Sequence, residues 1–199
     1  EGLPGHIKLA YLPGAGMVRL RLTGCGKNAA ELAAELEDKQ QQIANRLGDI
    51  VVALDDMTME EALGRHFEQN RLTLGLAESC TGGYVAHHIT QVMGSSEYFR
   101  GGIVCYSVEV KENVLGVSPD TIKQYGAVSE ETAIEMVHGV RKVLNSDIAF
   151  SVTGLLSKGG DDDKVEVGTV WMAVANKDMV RTKKFWFPYD RARNKEMAV

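Results

Sequence analysis

The chain has 199 residues, of which 44% are apolar, so it is long enough for one large domain or two small ones. A formal net charge of -5 argues against a nucleic-acid partner held by broad phosphate neutralisation, which makes a small-molecule substrate the easier expectation. No apolar run approaches the ~20 residues that cross a bilayer, and the first residues do not resemble a signal peptide. We therefore expect a cytoplasmic protein without membrane contact.

The cysteines and histidines form no disulfide or metal pattern. Cys25, Cys80 and Cys105 are an odd number without CxxC spacing, which indicates free thiols rather than a disulfide framework or a thiolate zinc site. His87 and His88 are neighbours in a predicted helix and point about 100° apart, so they cannot easily hold one metal ion. We expect ordinary surface or core histidines and no metal site.

The first part of the chain has the pattern of a small α/β domain. Residues 7–22 alternate apolar and polar positions around a Pro-Gly-Ala-Gly turn, which predicts a hairpin. Apolar residues at helical spacing over 28–47 predict a helix that ends at Gly48. A strand is predicted over 50–54, and the domain boundary is expected near Asp56.

The second domain is expected to span 57–199, after a first domain at 1–56. Thr58 and Glu61 form a capping-box pattern that opens a helix. The residues beyond it alternate between strand and helix patterns, which predicts a layered α/β domain with a mixed sheet and one mobile polar loop at 159–164. The predicted strands are 73–77, 102–107, 148–152, 168–175 and 180–187, and the predicted helices are 81–92 and 129–145.

A short hydroxyl-rich turn follows the first strand of the second domain. Ser79 lies between the apolar run 74–77 and a helix opened by Thr81-Gly82-Gly83, so its hydroxyl is expected to face the unpaired N–H groups of that helix. The glycines let a ligand approach the backbone, and the N–H groups are suited to stabilising an oxyanion. Spacing alone leaves two interpretations equally open, a serine nucleophile and a simple helix cap.

A serine nucleophile needs a base, and no histidine lies in an obvious position at the end of a strand. Lys111 follows Tyr106-Ser107 at the end of a predicted strand, where catalytic groups collect in α/β sheets. If it is buried there, its amine loses a proton near neutral pH. Position alone favours the alternative of a solvated loop lysine, and Cys80 is a rival nucleophile beside Ser79.

Two further segments contain groups that are suited to binding an anion. Thr153-Gly154 places a small hydroxyl and a glycine after an apolar strand, which suits a phosphate or a nicotinamide-sized group, with simple turn chemistry as the alternative. Arg191 and Arg193 offer guanidinium groups for a phosphate or a carboxylate, with surface ion pairs as the alternative.

Several motifs occur together in one order along the second domain. They are residues 77–83, 94–96, Tyr106-Ser107 with Lys111, 126–130, 152–154, 168–171 and Asp190-Arg191. Over 72–199 this order resembles the C-terminal domain of the CinA family of competence/damage-inducible proteins, and residues 3–54 resemble the small KH-like middle domain of that family. The resemblance implies a three-layer α/β/α sandwich with a mixed sheet, preceded by a small KH-like α/β domain.

This resemblance also implies an activity. A family member of this kind is an amidohydrolase that converts nicotinamide mononucleotide (NMN) to nicotinate mononucleotide and ammonia, in pyridine-nucleotide salvage. The implied catalytic residues are Ser79 as nucleophile, Lys111 as the group that takes its proton, and Tyr106. The implied substrate-binding residues are Thr81, Gly82, Gly83, Thr153, Gly154 and Arg191, the last of which holds the phosphate. No metal or cofactor is implied, and a homo-oligomer is expected.

Two segments depart from the family pattern. The family's Thr-Gly-Ile-Ala-Gly-Pro-Gly-Gly loop is here Thr-Gly-Leu-Leu-Ser-Lys-Gly-Gly at 153–160, which puts bulk and charge beside the expected pocket at 156–158. The family's Tyr-Ser-Asn-Glu-x-Lys motif has Val108 in place of the asparagine, so an amide that orders the lysine or the substrate is lost. These changes motivate an alternative function, a catalytically weak nucleotide-binding or assembly module.

The first domain suggests one further possibility. Lys8, Arg19 and Arg21 lie at alternate positions of the predicted hairpin, but the segment lacks the GxxG loop of nucleic-acid-binding KH domains and the overall charge is acidic. Nucleic-acid binding is therefore not expected.

Long family members carry a molybdopterin-binding-like domain before the middle domain. The resemblance therefore implies that this chain is a fragment whose activity is limited to the amidohydrolase part. The chain is also expected to end within a terminal helix, at Val199.

Overall fold

The computed structural model describes residues 2–14, 17–158 and 165–199. The chain divides into two compact units, Glu1–Ala62 and Leu63–Val199, and the division lies within helix α2 (Met59–Asn70). The boundary near Asp56 stays a prediction, and the polar loop at 159–164 lies outside the described residues. None of the helices in the described ranges is long and apolar enough to cross a membrane.

The first unit contains the predicted hairpin and helix. Strands β1 (Ile7–Pro13) and β2 (Val18–Gly24) pair antiparallel, with Ile7 opposite Gly24. Helix α1 (Ala29–Leu47) begins after Asn28, whose side chain accepts hydrogen bonds from two backbone N–H groups of the first turn. A Cβ at Gly24 would come within 2.7 Å of the Leu32 side chain, so α1 packs closely against β2 at this glycine.

The strand predicted over 50–54 is wrong. A 3-10 turn, Gly48–Ile50, follows α1, and the next residues are irregular. The side chains of Ile50 and Val52 are 75% and 49% exposed, and among the described residues the sheet of this unit consists of β1 and β2. The run is rich in β-branched residues, but a strand also needs a partner that takes up its backbone hydrogen bonds.

The second unit is built on a five-stranded mixed sheet, as the sequence predicts. The strand order is β4-β3-β5-β6-β7, in which β4, β3 and β5 are parallel and the last two strands are antiparallel to their neighbours. Glu78 at the end of β3 is level with Val104 and Val152 on the adjacent strands, so the three parallel strands end at one edge. The strands are β3 (Leu74–Glu78), β4 (Phe99–Val104), β5 (Ile148–Gly154), β6 (Thr169–Ala175) and β7 (Val180–Trp186).

Helices cover both faces of this sheet, which gives the predicted three layers. Ser151 of β5 faces α6, since its Oγ donates to the Ala133 carbonyl oxygen at 2.7 Å. The neighbouring Val152 points to the opposite face and packs with Ala198, directly after α7. The helices of this unit beyond α2 are α3 (Tyr84–Thr90), α4 (Val108–Leu115), α5 (Pro119–Tyr125), α6 (Glu130–Val143) and α7 (Arg191–Met197).

Three differences from the predicted elements affect the site. Helix α3 begins at Tyr84 rather than at residue 81, because Gly82 and Gly83 have φ angles of 62° and 94° and form a turn first. Strand β4 ends before Cys105, and the chain enters α4, whose first turn is capped by the Ser107 side chain. The sequence patterns did not predict α4 or α5, and α4 places Lys111 in a helix rather than in a loop.

Candidate active site

Ser79 follows β3 at the edge where the three parallel strands end. Its backbone N–H donates to the Val152 carbonyl oxygen of β5 at 2.9 Å. On the other side, the Glu78 carbonyl oxygen accepts from the Cys105 N–H at 2.8 Å. The peptide group that joins Glu78 to Ser79 is therefore held from both sides, by β5 and by the residue that follows β4, and Ser79 itself is buried.

Lys111 reaches Ser79 from helix α4. Its Nζ lies 2.9 Å from Ser79 Oγ and donates to the Cys105 carbonyl oxygen at 2.7 Å, with the Tyr106 carbonyl oxygen at 3.5 Å. Lys111 is 1% exposed, so the alternative of a solvated loop lysine is wrong. The structure thus brings together two predicted residues from different elements.

The surroundings of Lys111 favour its neutral form. Burial lowers the pKa of its amine below the ordinary value, because a charged ammonium loses its hydration there. Within the described ranges, none of the ion pairs includes Lys111. A neutral amine that donates to the carbonyl oxygens of Cys105 and Tyr106 keeps its lone pair for the Ser79 hydroxyl proton. The pair has the geometry of a nucleophile and its base.

Glu78, which the sequence analysis did not select, organises the turn around Ser79. Its carboxylate is buried and accepts hydrogen bonds from Thr81 Oγ1 (2.7 Å) and from the backbone N–H groups of Gly83 (2.9 Å), Val85 (3.1 Å) and Ala86 (2.8 Å). These N–H groups at the start of α3 have no acceptor inside the helix. In the sequence, the one feature that indicates this capping role of Glu78 is a single carboxylate at the end of an apolar strand.

The expectation that the Ser79 hydroxyl faces these N–H groups is wrong. The Glu78 carboxylate occupies that position, because a charged acceptor is favoured over a hydroxyl at the start of a helix. Ser79 is therefore not the cap of α3, and the bonded N–H groups of that helix are not available to an oxyanion. The Thr81 hydroxyl also donates to Glu78, so the contacts of Thr81, Gly82 and Gly83 with a substrate stay predictions.

Cys80 is disfavoured as the nucleophile. Burial raises the pKa of its thiol to about 12, although a backbone hydrogen bond and the nearby charge of Arg191 act in the opposite direction. Since the thiolate is the reactive form, a neutral Cys80 is inert at neutral pH. Its sulfur instead packs at the end of β5, where a Cβ at Gly154 would come within 3.1 Å of it.

Thr153 lies at the end of β5, and its side chain is directed inward. It is 1% exposed, and its Oγ1 donates to the Ala127 carbonyl oxygen at 2.7 Å. Gly154 is the last residue of the same strand, and because it has no side chain, the strand can lie close to the Cys80 sulfur. The roles of Thr153 and Gly154 in substrate binding stay predictions.

Tyr106 and Arg191 are bonded to each other at the surface of the protein. Arg191 Nη2 donates to the Tyr106 hydroxyl at 3.0 Å, and Nη1 donates to Ser157 Oγ at 3.0 Å. Tyr106 is 62% exposed, so this contact is open to water. Arg193 forms an ion pair with Glu196 at 3.5 Å, which matches the alternative of a surface ion pair for that arginine.

The sequence led us to expect that the altered loop after Gly154 places bulk and charge beside the site. Not all of this bulk lies there. Leu156 is 2% exposed and packs in the core with Cys80 and Val152. An apolar side chain gains more from this burial than from a position at the surface. Ser157 binds Arg191, and Lys158 is exposed.

These elements define a class of α/β protein in which a buried serine–lysine pair lies at the carboxyl edge of a mixed sheet. Residues 56–199 match the family model described as the CinA C-terminal domain, and residues 3–53 match that of the damage-inducible protein CinA KH domain. The chain belongs to the CinA family.

Curated relatives and a solved structure support this assignment. A putative competence-damage inducible protein of Halothermothrix orenii is 41% identical over 94% of this chain and 46% of its own length. A CinA-like protein of Cytophaga hutchinsonii is 38% identical over 98% of this chain and 47% of its own. The chain thus spans about half the length of these relatives. The crystal structure of a competence or damage-inducible protein from Enterobacter asburiae superposes with a TM-score of 0.68, at 32% identity, over 70% of this chain and 87% of that one.

Proposed function

We propose that this chain is a serine–lysine amidohydrolase that converts NMN to nicotinate mononucleotide and ammonia. The observation that carries the proposal is the 2.9 Å separation between Lys111 Nζ and Ser79 Oγ, with both residues buried. A serine hydroxyl is a weak nucleophile unless an adjacent base accepts its proton, and a desolvated lysine is such a base at neutral pH. The choice of NMN as substrate follows from the family motifs that surround the pair.

The first half of the reaction forms an ester on the enzyme. Ser79 Oγ attacks the carboxamide carbon of NMN while the Lys111 amine takes the hydroxyl proton. The carbon–nitrogen bond of the tetrahedral intermediate then breaks, and Lys111 returns the proton to the leaving nitrogen, which departs as ammonia. The nicotinoyl group of the substrate remains esterified to Ser79.

The second half of the reaction releases the product. A water molecule attacks the ester carbon, and the neutral Lys111 amine takes a proton from that water. The ester bond breaks, Ser79 Oγ regains a proton from Lys111, and nicotinate mononucleotide leaves as a carboxylate after its new acid group releases a proton to the solvent. The same side chain therefore transfers a proton in each direction twice, which requires a pKa that is not far from the working pH.

A second candidate is a nucleotide-binding module with weak catalysis. The observation that favours it is the contact of Arg191 with Ser157, because Ser157 belongs to the loop that departs from the family pattern. In this case NMN binds near Arg191 without turnover.

The cytoplasmic location and the homo-oligomeric state expected from the sequence remain part of the proposal.

Ammonia release from NMN by the full chain separates the two candidates. We expect turnover by the wild-type protein and a loss of at least about 1,000-fold in kcat for Ser79→Ala, because the nucleophile is removed. Cys80→Ala is the matched control, and we expect it to stay within a few-fold of wild type. Wild-type turnover by Ser79→Ala would exclude the serine mechanism, and NMN binding in calorimetry without ammonia release would support the second candidate.

A further inference from the structure

Helix α7 carries two cationic side chains near the Ser79 turn, Arg191 and Lys195. Arg191 and Lys195 lie four residues apart in α7, so their side chains share one face of that helix. Lys195 Nζ lies 3.8 Å from the position that a Cβ at Gly82 would occupy. It also lies 5.5 Å from the centre of the Tyr84 ring, which is a cation–π contact.

Buried contacts of Asn194 hold this helix in place. The Asn194 side chain donates to the carbonyl oxygens of Leu156 (3.1 Å) and Tyr189 (2.9 Å), and it accepts from the Tyr189 N–H (3.1 Å). Asn194 is 0% exposed, so these bonds do not compete with water. The position of Lys195 is therefore set by a packed helix, although it lies close to the end of the chain.

The two cations have no acidic partner in the described part of the chain. Arg191 donates to two neutral hydroxyl groups, and Lys195 contacts an aromatic ring. Arg193 differs, since its charge is paired with Glu196. The buried Glu78 carboxylate is occupied by three N–H groups and a hydroxyl. No carboxylate of the described residues therefore neutralises the positive charge next to the turn, and such a charge attracts anions.

The geometry points to Lys195 as the residue that binds the phosphate of a mononucleotide substrate, across the turn from Lys111. This inference rests on the proposed function and names a part of its substrate. Gly82 N–H donates to the Ser79 carbonyl oxygen at 3.1 Å, and the ends of such a turn lie within about 7 Å of each other. An amide carbon at Ser79 and a phosphate at Lys195 are then separated by the pyridine ring and the ribose of the nucleotide.

Lys195 suits the phosphate better than Arg191 does in this arrangement. One N–H group on each terminal nitrogen of the Arg191 guanidinium already donates, to Tyr106 and to Ser157, and these two bonds fix the direction of its remaining donors. The Lys195 ammonium has three N–H donors. Its contact with the face of the Tyr84 ring is not a hydrogen bond to an acidic group, so these donors are not held by a carboxylate. Gly82 is exposed and carries no side chain, so it leaves room for an anion beside Lys195.

The test compares NMN with nicotinamide riboside, which carries the same amide without the phosphate. For Lys195→Met we expect the ratio of kcat/KM for NMN to kcat/KM for the riboside to fall about 10- to 100-fold, mainly through a higher KM for NMN. Methionine keeps most of the unbranched side chain and removes its charge. Lys195→Arg should restore most of the ratio, and Arg193→Met, which alters a surface ion pair in the same helix, should keep the wild-type ratio.

An unchanged ratio in Lys195→Met, or an equal fall in Arg193→Met, would overturn the inference. If the wild-type chain releases no ammonia from either compound, the proposed function fails, and calorimetry with NMN and with inorganic phosphate still tests Lys195. Binding that Lys195→Met weakens at least 10-fold supports the phosphate site. Equal binding by the two proteins, or no binding by either, contradicts it.

Discussion

The buried polar side chains around Ser79 differ from the exposed ones in their partners. Among the buried group, Glu78 and Lys111 are both 1% exposed and bond to backbone groups and to buried hydroxyls. In the exposed group, Tyr106 is 62% exposed and is bonded to Arg191 through a contact open to water. Buried polar groups hold one geometry because a lost partner is costly, whereas exposed groups exchange their partners with water at small cost.

This contrast assigns different kinetic effects to the two groups. In the proposed reaction, changes to the buried residues alter the position or the proton of the nucleophile, so they should appear in kcat. Changes to the exposed residues alter contacts that the proposed substrate makes on entry, so they should appear in KM. The following three predictions test that division, from the largest expected effect to the smallest.

The largest effect is expected at Lys111. For Lys111→Met we expect kcat for NMN to fall about 1,000-fold, since the base is lost, and Lys111→Arg should not rescue it, because an arginine does not give up its proton. In the wild type, kcat should rise with pH as the amine loses its proton. The pKa of Lys111 is lowered by burial, so this rise should have its midpoint below the ordinary lysine value of 10.5. Activity in Lys111→Met near the wild-type level would contradict the mechanism.

An intermediate effect is expected at Glu78. For Glu78→Gln we expect an unfolding free energy lower by about 1 to 3 kcal/mol, since a carboxylate acceptor of backbone N–H groups is replaced by an amide that satisfies fewer of them. We also expect kcat to fall about 10- to 100-fold, because the turn that holds Ser79 shifts, while KM changes less. Chemical unfolding and steady-state kinetics measure the two effects.

Glu135→Gln is the matched control for Glu78. Glu135 accepts from Ser118 N–H and Thr121 Oγ1, both at 2.6 Å, at the start of α5, which is the same kind of capping contact on a different helix. It should lower stability without a comparable fall in kcat. If both variants lose the same fraction of kcat, Glu78 has only a general effect on stability and does not position Ser79.

The smallest effect is expected at Tyr106. Tyr106→Phe removes the hydroxyl that accepts from Arg191, and an exposed hydrogen bond of this kind contributes about 0.5 to 1.5 kcal/mol. We expect KM for NMN to rise about 2- to 10-fold with little change in kcat, measured by ammonia release. Tyr189→Phe is the control on the neighbouring segment and should leave KM unchanged. A large fall in kcat for Tyr106→Phe would place this tyrosine with the buried group instead.

Local signals in the sequence were sufficient for most of the fold. The capping box of α2 forms as predicted, with Thr58 N–H and Glu61 Oε2 at 2.7 Å, because both groups lie within one turn of chain. The hairpin of the first unit and the alternation of strands and helices in the second were also predicted. The strand over 50–54 was wrong, since its existence depends on a partner strand that sequence patterns do not reveal.

The sequence by itself determined the layered α/β architecture, the capped helices and the order of the motifs that contain Ser79 and Lys111, because these depend on periodicity and on short-range hydrogen bonds. Only the tertiary structure decided which group caps α3 and which group bonds to Ser79. Lys111 and Ser79 are 32 positions apart in the chain, and their contact exists because α4 packs against α6, which in turn packs against β3. Burial by that packing, rather than the identity of either residue, favours a neutral amine next to the Ser79 hydroxyl.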